Sequence, residues 1–280
     1  MKIIIQGGFF SESATNAEIK LAKQASLKRI VAQAYEYLKN NSAVDTVIFA
    51  TSLLEDDPLF NAGTGSQIQS DGKIRLSAAL MDGHTHKFAG LINIQDIQNP
   101  IALCKNLLQM EDRVLSGEEA LNFARAQNVP FYNPEIAQRK AEYEAKLAKY
   151  KGLGTVGCVA LDANGKIAAA TSTGGKGFEI PGRVSDSATV AGNYANAFAG
   201  VSCTGVGEDI VSASLASKIV TRVTDGFTLK EASEKSFTEL KEFDGFAGII
   251  GISANGEIYH CDSHPYMVWA ANDGEISCFE

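Results

Sequence analysis

Gly154-Thr155-Val156-Gly157-Cys158-Val159-Ala160-Leu161 is the stretch on which the fold and chemistry of this chain turn. Before it, Glu135 to Gly154 is rich in Lys, Glu and Ala and short of the large apolar residues a core needs. It reads as a charged, helix-like linker. After it, Val156 to Leu161 reads as a buried strand, Asp162 to Gly165 as a tight turn, and Lys166 to Thr171 as the hairpin partner. A cut before Thr155 would open that strand with a residue carrying both a hydroxyl and a free α-amine. Such a threonine is a nucleophile with a base built in.

A chain of 280 residues buries roughly 70–75% of its unfolded surface and needs no staples. Hydrophobic content of 45% and charged content of 21% are ordinary for a soluble globular protein. The net charge of −8, with no basic stripe, argues against nucleic acid as a partner, because that binding neutralises phosphates with Lys and Arg. The apolar run in Met1 to Ile5 is too short for a signal peptide or membrane span. It is expected as a buried first strand, with no membrane partner. Cys104, Cys158, Cys203, Cys261 and Cys278 are an odd, scattered set with no Cys-x-x-Cys pair. Reduced thiols and a cytoplasmic location are expected.

Apolar residues at helical spacing predict helices over 15–40 and 43–55, the second stopping before Pro58. Asp71-Gly72 is expected to turn a hairpin between strands at 66–69 and 74–81, and a strand at 88–94 extends the sheet. Helices follow at 100–109 and 116–126, the latter opened by a Ser116-x-x-Glu119 capping box. In the second half a glycine-rich loop spans 174–182, a strand 201–204 and a helix 209–223. A helix with a Thr228-x-x-Glu231 capping box follows, then a hairpin over 246–253 and 257–261 turned at Asn255-Gly256. Helices, strands, strands and helices in that order predict two sheets between two helical layers in a single domain.

A carbonyl under attack gathers negative charge and needs donors already in place. Thr204-Gly205 offers a hydroxyl and a backbone N–H at a strand-to-helix junction, where free N–H groups collect. Thr173 lies at the end of the strand paired with the one Thr155 opens, so its hydroxyl can sit beside the nucleophile. Arg183 and Asp186, three residues apart, are placed to share a pocket: the guanidinium fork suits a carboxylate, the Asp an ammonium. The α-amino acid end of a small substrate carries both groups. His84, His86, His260 and His264 have no strong zinc spacing, and Gly174-Gly-Lys-Gly177 lacks a phosphate-loop pattern. Cys158 and Cys203 read as small core residues.

Asn61-Ala-Gly-Thr-Gly-Ser66, Met81-Asp-Gly83, Gly154-Thr-Val-Gly157, Thr171-Ser-Thr-Gly-Gly175, Gly182-Arg-Val-Ser-Asp186 and Ser202-Cys-Thr-Gly-Val-Gly-Glu208 together resemble the plant-type L-asparaginase/isoaspartyl peptidase family, threonine-dependent N-terminal nucleophile hydrolases. The motifs run in family order over nearly the whole chain. The resemblance implies an α+β fold, an αββα sandwich forming one domain over 1–280. It implies self-cleavage between Gly154 and Thr155 into an α chain (1–154, with a flexible linker over about 135–154) and a β chain (155–280), and pairing of two αβ units. Thr155 would be the nucleophile, Thr173 its support, and Thr204 with Gly205 the oxyanion site. Arg183 would bind the substrate α-carboxylate, Asp186 with the Gly207 carbonyl its ammonium, and Asn61 would also lie among the substrate-binding residues. Catalysis would need no cofactor. Backbone carbonyls of Leu54, Glu55, Asp57, Phe60, Ala62 and Thr64 would wrap a structural sodium ion.

The implied reaction is hydrolysis of the side-chain amide of asparagine, or of the β-linked peptide bond of isoaspartyl dipeptides, through an aspartyl ester. Glycosylasparaginase activity is the alternative within the fold, and an uncleaved binding or scaffold homologue the alternative outside catalysis. The chain departs from the family in four places. Gln6-Gly7-Gly8-Phe9-Phe10 stands where His-Gly-Gly-Ala-Gly is usual, Ser77 replaces an aspartate, Ser185 a glycine, and Ala191-Gly-Asn-Tyr194 is shortened. Two rings in place of small residues are expected to alter packing near the floor of the site.

Overall fold

A strand made only of apolar and small residues must be covered on both faces, and Val156–Leu161 is buried throughout. The computed structural model describes residues 1–9, 17–146 and 154–280. Phe10, the start of the first predicted helix and residues 147–153 of the linker lie outside them. In chain order the first half holds β1 (Lys2–Phe9), α1 (Ala17–Leu38), α2 (Ala43–Glu55), β2 (Leu76–Asp82), β3 (Lys87–Ile94), α3 (Pro100–Leu107), β4 (Val114–Ser116), α4 (Gly117–Ala126) and α5 (Ala137–Lys146). The second holds β5 (Val156–Leu161), β6 (Ile167–Thr173), a single 3₁₀ turn at Asp186–Ala188, β7 (Asn193–Ala195), β8 (Ala199–Gly205), α6 (Gly207–Ala213), α7 (Leu215–Thr224), α8 (Leu229–Lys241), β9 (Ala247–Ser253), β10 (Ile258–Asp262), β11 (Met267–Asn272) and β12 (Ile276–Cys278).

The fold is α+β with two sheets. The larger runs β12-β11-β1-β5-β6-β2-β3-β4 and the smaller β10-β9-β8-β7. Period-two alternation sends neighbours on one strand to different cores. Ile3 and Ile5 join Leu27, Ile30, Leu54 and Ile101 of α1, α2 and α3, while Ile4 joins Val159, Ile167, Ile250 and Ile252, drawn from both sheets. A third cluster sets Ile219, Val220, Leu229 and Phe237 of α7 and α8 against Val201 and Ile249. Each such apolar side chain, fully buried, contributes about 1.5–3 kcal/mol. β5 lies between β1 and β6, with Gly157 opposite both Gln6 and Thr171. The strand that follows Thr155 is therefore held on both edges.

Several expectations change. Residues 66–69 form no strand, because their backbone is committed to loops: Gln67 N–H to Asn61 Oδ1 (2.8 Å) and Phe178 N–H to the Ile68 carbonyl (2.8 Å). β2 pairs with β3 and β6 instead. The 209–223 helix is two, α6 and α7, broken at Ser214, whose φ is 50°. Ser116 makes no side-chain cap, being the last residue of β4 and paired with Ile92. The Thr228 box does form: its hydroxyl accepts from Glu231 N–H (3.1 Å), while Glu231 Oε2 accepts from Thr228 N–H (2.9 Å). Within the linker, Ala137–Lys146 is helical and anchored: Arg139 Nε donates to the Gly65 carbonyl (2.7 Å) and Tyr143 OH to that of Ser70 (3.3 Å). Among the described residues no helix is long and apolar enough to cross a membrane.

Candidate active site

Thr155 stands where β5 begins, at the bottom of a narrow pocket. The pocket is lined by Gly154, Thr155, Thr173, Gly175, Lys176, Arg183, Ser185, Asp186, Gly205 and Gly207. Seven of the residues singled out from sequence thus share one cavity, although up to 53 positions separate them. β6 supplies Thr173, the end of β8 supplies Gly205, and the 3₁₀ turn supplies Asp186. Thr204 lies one residue behind, 1% exposed, its hydroxyl without a hydrogen-bond partner among the described residues. The Leu54–Thr64 loop does not line the cavity.

The peptide at 154/155 is gripped from three sides. Thr155 Oγ1 donates to Thr173 Oγ1 (3.2 Å), which donates to the Gly154 carbonyl (3.1 Å) and accepts from Gly175 N–H (3.2 Å). Asn61 Nδ2 donates to the same Gly154 carbonyl (2.7 Å) and to that of Gly175 (2.6 Å). The amide is oriented by Gln67 N–H, which donates to its Oδ1 (2.8 Å). Asn61, expected on the substrate, is thus found on the carbonyl of the bond before Thr155. The fourth side is the end of β1. Gly8 has φ 84°, and a Cβ there would stand 3.0 Å from both Gly154 Cα and Thr155 N. Only glycine permits that approach. Gln6 Oε1 accepts the Gly8 N–H (2.6 Å), and its Nε2 donates to the Cys203 carbonyl (3.5 Å), tying β1 to β8. The Phe9 ring does not line the pocket. It packs on Phe246 (centroids 4.5 Å apart) in the cluster between the sheets.

Charged side chains also line the cavity. Asp186 is 3% exposed, and its Oδ2 lacks a hydrogen-bond partner among the described residues. Burial pushes its carboxyl up to about 7, and the Arg183 charge opposes that rise. Arg183 and Asp186 share the cavity as their spacing suggested, yet the guanidinium fork is not on Asp186. Its Nε and Nη2 donate to Glu208 Oε1 (2.7 Å) and Oε2 (2.8 Å), and Lys176 Nζ lies 3.4 Å from Oε1. Hydrogen bonding to Arg183 holds the Glu208 carboxyl down to about 2. Glu208 carries no role in the sequence reading. The available signal is an acidic residue in the first turn after Gly207, beside a cavity that already holds one arginine.

The proposed cation loop closes on itself. Thr64 N–H donates to the Glu55 carbonyl (2.7 Å) and Phe60 N–H to that of Asp57 (3.1 Å). Its acidic side chains are engaged elsewhere: Asp57 with Ser26 and Arg29, and Glu55 Oε1 with Ile101 N–H (3.2 Å). Main-chain oxygens, each with two lone pairs, remain as the donor set, which fits a hard monovalent cation. Among the described residues no group of three His, Cys, Asp or Glu side chains could hold a metal. His86 bonds Tyr194 OH (3.0 Å) and His260 stacks on Trp269.

Known proteins are similar to this chain over nearly its whole length. A family model described as asparaginase matches residues 1–278. An isoaspartyl peptidase/L-asparaginase of Synechocystis is 45% identical over 98% of this chain and 88% of its own length. An isoaspartyl peptidase of Escherichia coli is 37% identical over 91% of this chain and 88% of its own. A plant-type L-asparaginase of Pyrococcus furiosus is 35% identical over 87% and 88%.

Proposed function

The chain belongs to the asparaginase family, and from that premise we propose that it is an autoprocessing amidohydrolase acting on β-aspartyl peptides and L-asparagine. One observation carries the proposal: the Thr155 hydroxyl, the Thr173 hydroxyl and the Asn61 amide converge on the Gly154 carbonyl. Thr155 Oγ attacks that carbonyl carbon. Thr173 takes the Thr155 proton while passing its own toward the Gly154 oxygen, and the Asn61 N–H steadies the oxyanion. The C–N bond breaks as that proton moves on to the departing Thr155 nitrogen, the acyl group is left on Thr155 Oγ, and water hydrolyses the ester. The products are an α chain ending at Gly154 and a β chain beginning with a free threonine amine.

The pieces stay together by construction. In the larger sheet β5 and β6 lie between β1 and β2, so strands from the two sides of the cut interleave. We read the two sheets with helices outside each as the αββα sandwich of N-terminal nucleophile hydrolases, one domain over 1–280, with two αβ units pairing. The shared core between the sheets supports it. A sodium ion held by main-chain oxygens of the Leu54–Thr64 loop would stiffen the segment that presents Asn61.

In the mature enzyme the Thr155 amine, an α-amine of the kind that titrates at about 8 in peptides, takes the hydroxyl proton as Oγ attacks the substrate side-chain carbonyl. The unpartnered Thr204 hydroxyl and the Gly205 N–H receive the negative charge. Arg183 meets the α-carboxylate with the N–H groups Glu208 leaves unused, since a guanidinium has five. Asp186 Oδ2, with the Gly207 carbonyl, meets the ammonium. Ammonia or the downstream peptide leaves with the proton from the Thr155 amine, and water hydrolyses the aspartyl ester. Isoaspartyl dipeptides, asparagine and N-glycosylated asparagine assayed side by side on matured protein test the substrate class. Turnover of the first two is expected. Preference for the glycosylated substrate would make the chain a glycosylasparaginase, and no turnover on a single uncut chain would make it a binding homologue.

The pH dependence follows from Asp186. Burial raises its carboxyl to about 7, so below that pH the free enzyme holds it protonated and unable to pair with an ammonium. kcat/KM reports free-enzyme groups, whereas kcat reports the complex, in which the bound ammonium keeps Asp186 ionised. On the acid side of about pH 7, kcat/KM is expected to fall by about two decades per pH unit, one from Asp186 and one from the Thr155 amine. kcat falls by about one. In Asp186→Asn the kcat/KM slope should drop to that of kcat. An unchanged slope would remove Asp186 from ammonium binding.

A further inference from the structure

The proposed function gives the cavity one charged partner for each α group of the substrate, and a third polar side chain stands beside them. Ser185 lines the cavity together with Arg183 and Asp186, at a position where the family motif has glycine. Its backbone does not call for glycine: φ is −92° and ψ −179°, an extended conformation open to any L residue. A Cβ on Gly207 would stand 2.8 Å from Asp186 Oδ1, 2.9 Å from Arg183 Nη2 and 3.1 Å from Ser185 Cβ. The half-buried Ser185 side chain therefore converges with both charged groups on the Gly207 backbone. Its Oγ accepts the Ser187 N–H at 3.4 Å, while its own hydrogen goes to no acceptor among the described residues.

Resting on the proposed function, we infer that the Ser185 hydroxyl is a specificity-determining contact to the substrate α-carboxylate, made alongside Arg183. Two observations favour the carboxylate over the ammonium. An oxygen that already accepts a backbone N–H still has its O–H to give, and a donated O–H suits an anion. The guanidinium is also shared: Nε and Nη2 each give an N–H to Glu208, so two of its five are committed before substrate arrives. A further donor therefore adds most at the carboxylate. The ammonium already has Asp186 and the Gly207 carbonyl as acceptors. Hydrogen bonds with one ionised partner are shorter and stronger than neutral ones, so a single hydroxyl is enough to shift affinity measurably.

The experiment measures kcat and KM for asparagine, and competitive inhibition by L-aspartate and β-alanine, with matured wild type, Ser185→Ala and Ser185→Gly. L-Aspartate carries both α groups, whereas β-alanine keeps the ammonium and the side-chain carboxylate but has no α-carboxylate. Both variants should bind L-aspartate about tenfold more weakly, the low end of what a hydrogen bond to a charged group contributes. The asparagine KM should rise by a similar factor with kcat nearly unchanged, the sign of a contact made equally in ground and transition states. Inhibition by β-alanine should be the same in all three proteins. A merely structural role predicts another pattern. Ser185 caps the 3₁₀ turn that carries Asp186, so a lost cap would disturb the ammonium partner and weaken both inhibitors alike. A change in Ser185→Gly alone would mean that the side chain acts by bulk. Either pattern, or unchanged L-aspartate inhibition in Ser185→Ala, would overturn the contact while leaving the amidohydrolase intact. Absence of hydrolysis of asparagine and of β-aspartyl dipeptides by matured wild type would instead sink the proposed function and the contact with it.

Discussion

Thr155→Ala accumulates as one uncut chain and hydrolyses neither asparagine nor isoaspartyl dipeptides. The loss should be on the order of 10⁶-fold, the scale seen when a catalytic nucleophile is removed. Two steps fail together. Without Oγ nothing attacks the Gly154 carbonyl, and without the cut no α-amine exists to serve as base. The variant should fold, since Thr155 is 7% exposed and its hydroxyl makes its hydrogen bond to Thr173 rather than packing in the apolar core. Thr155→Ser, which restores the hydroxyl, should cut itself again and regain part of the activity. Gel migration, N-terminal sequencing of the β chain and substrate turnover measure all three outcomes. An alanine variant that stays whole yet active would refute Thr155 as nucleophile.

Asn61→Ala should slow self-cleavage by about 10²–10³, the effect of removing one oxyanion donor. The expectation rests on the 2.7 Å bond from Nδ2 to the Gly154 carbonyl, which is closer than the Thr173 contact to that oxygen at 3.1 Å. The half-time of chain conversion after purification is the readout. Asn61 also fixes Gly175 and Gln67, so a melting curve must accompany it: the three lost bonds cost about 1 kcal/mol each. A general loosening would lower the melting temperature and leave the conversion half-time of the folded fraction near wild type. Slow conversion in a protein of near-normal stability assigns Asn61 to processing rather than to substrate binding.

Much of this was legible in residue order. The 154–173 hairpin follows from a run of apolar and small residues, an Asn-Gly turn and a second run of small and β-branched residues. Its termini then place Thr155 and Thr173 at the same end. Arg183 and Asp186 reach one cavity, as two charges three residues apart in a glycine-flanked loop could, although Ser185 between them is extended. Partner choice was not legible. The spacing that brings Arg183 near Asp186 says nothing of Glu208, which meets the guanidinium from a different segment with ideal fork geometry. Residues 66–69 look like a strand by composition and are not one, because loop carbonyls and the Asn61 side chain claim their backbone. The short β4, β7 and β12 carry too few residues for any alternation to show, and pairing alone makes them strands. Ser214 breaks a continuous helical pattern by adopting a left-handed conformation that serine composition does not announce.

The central claim is that a hydroxyl held inside the chain must be released as an amino terminus before chemistry begins. The most direct test is a time course of intact mass on freshly purified protein, with β-aspartyl hydrolysis measured on the same samples. The account predicts one mass giving way to two that meet between Gly154 and Thr155, with activity rising in proportion to the cut fraction. Full activity in a sample that contains only the unbroken 280-residue chain would contradict it.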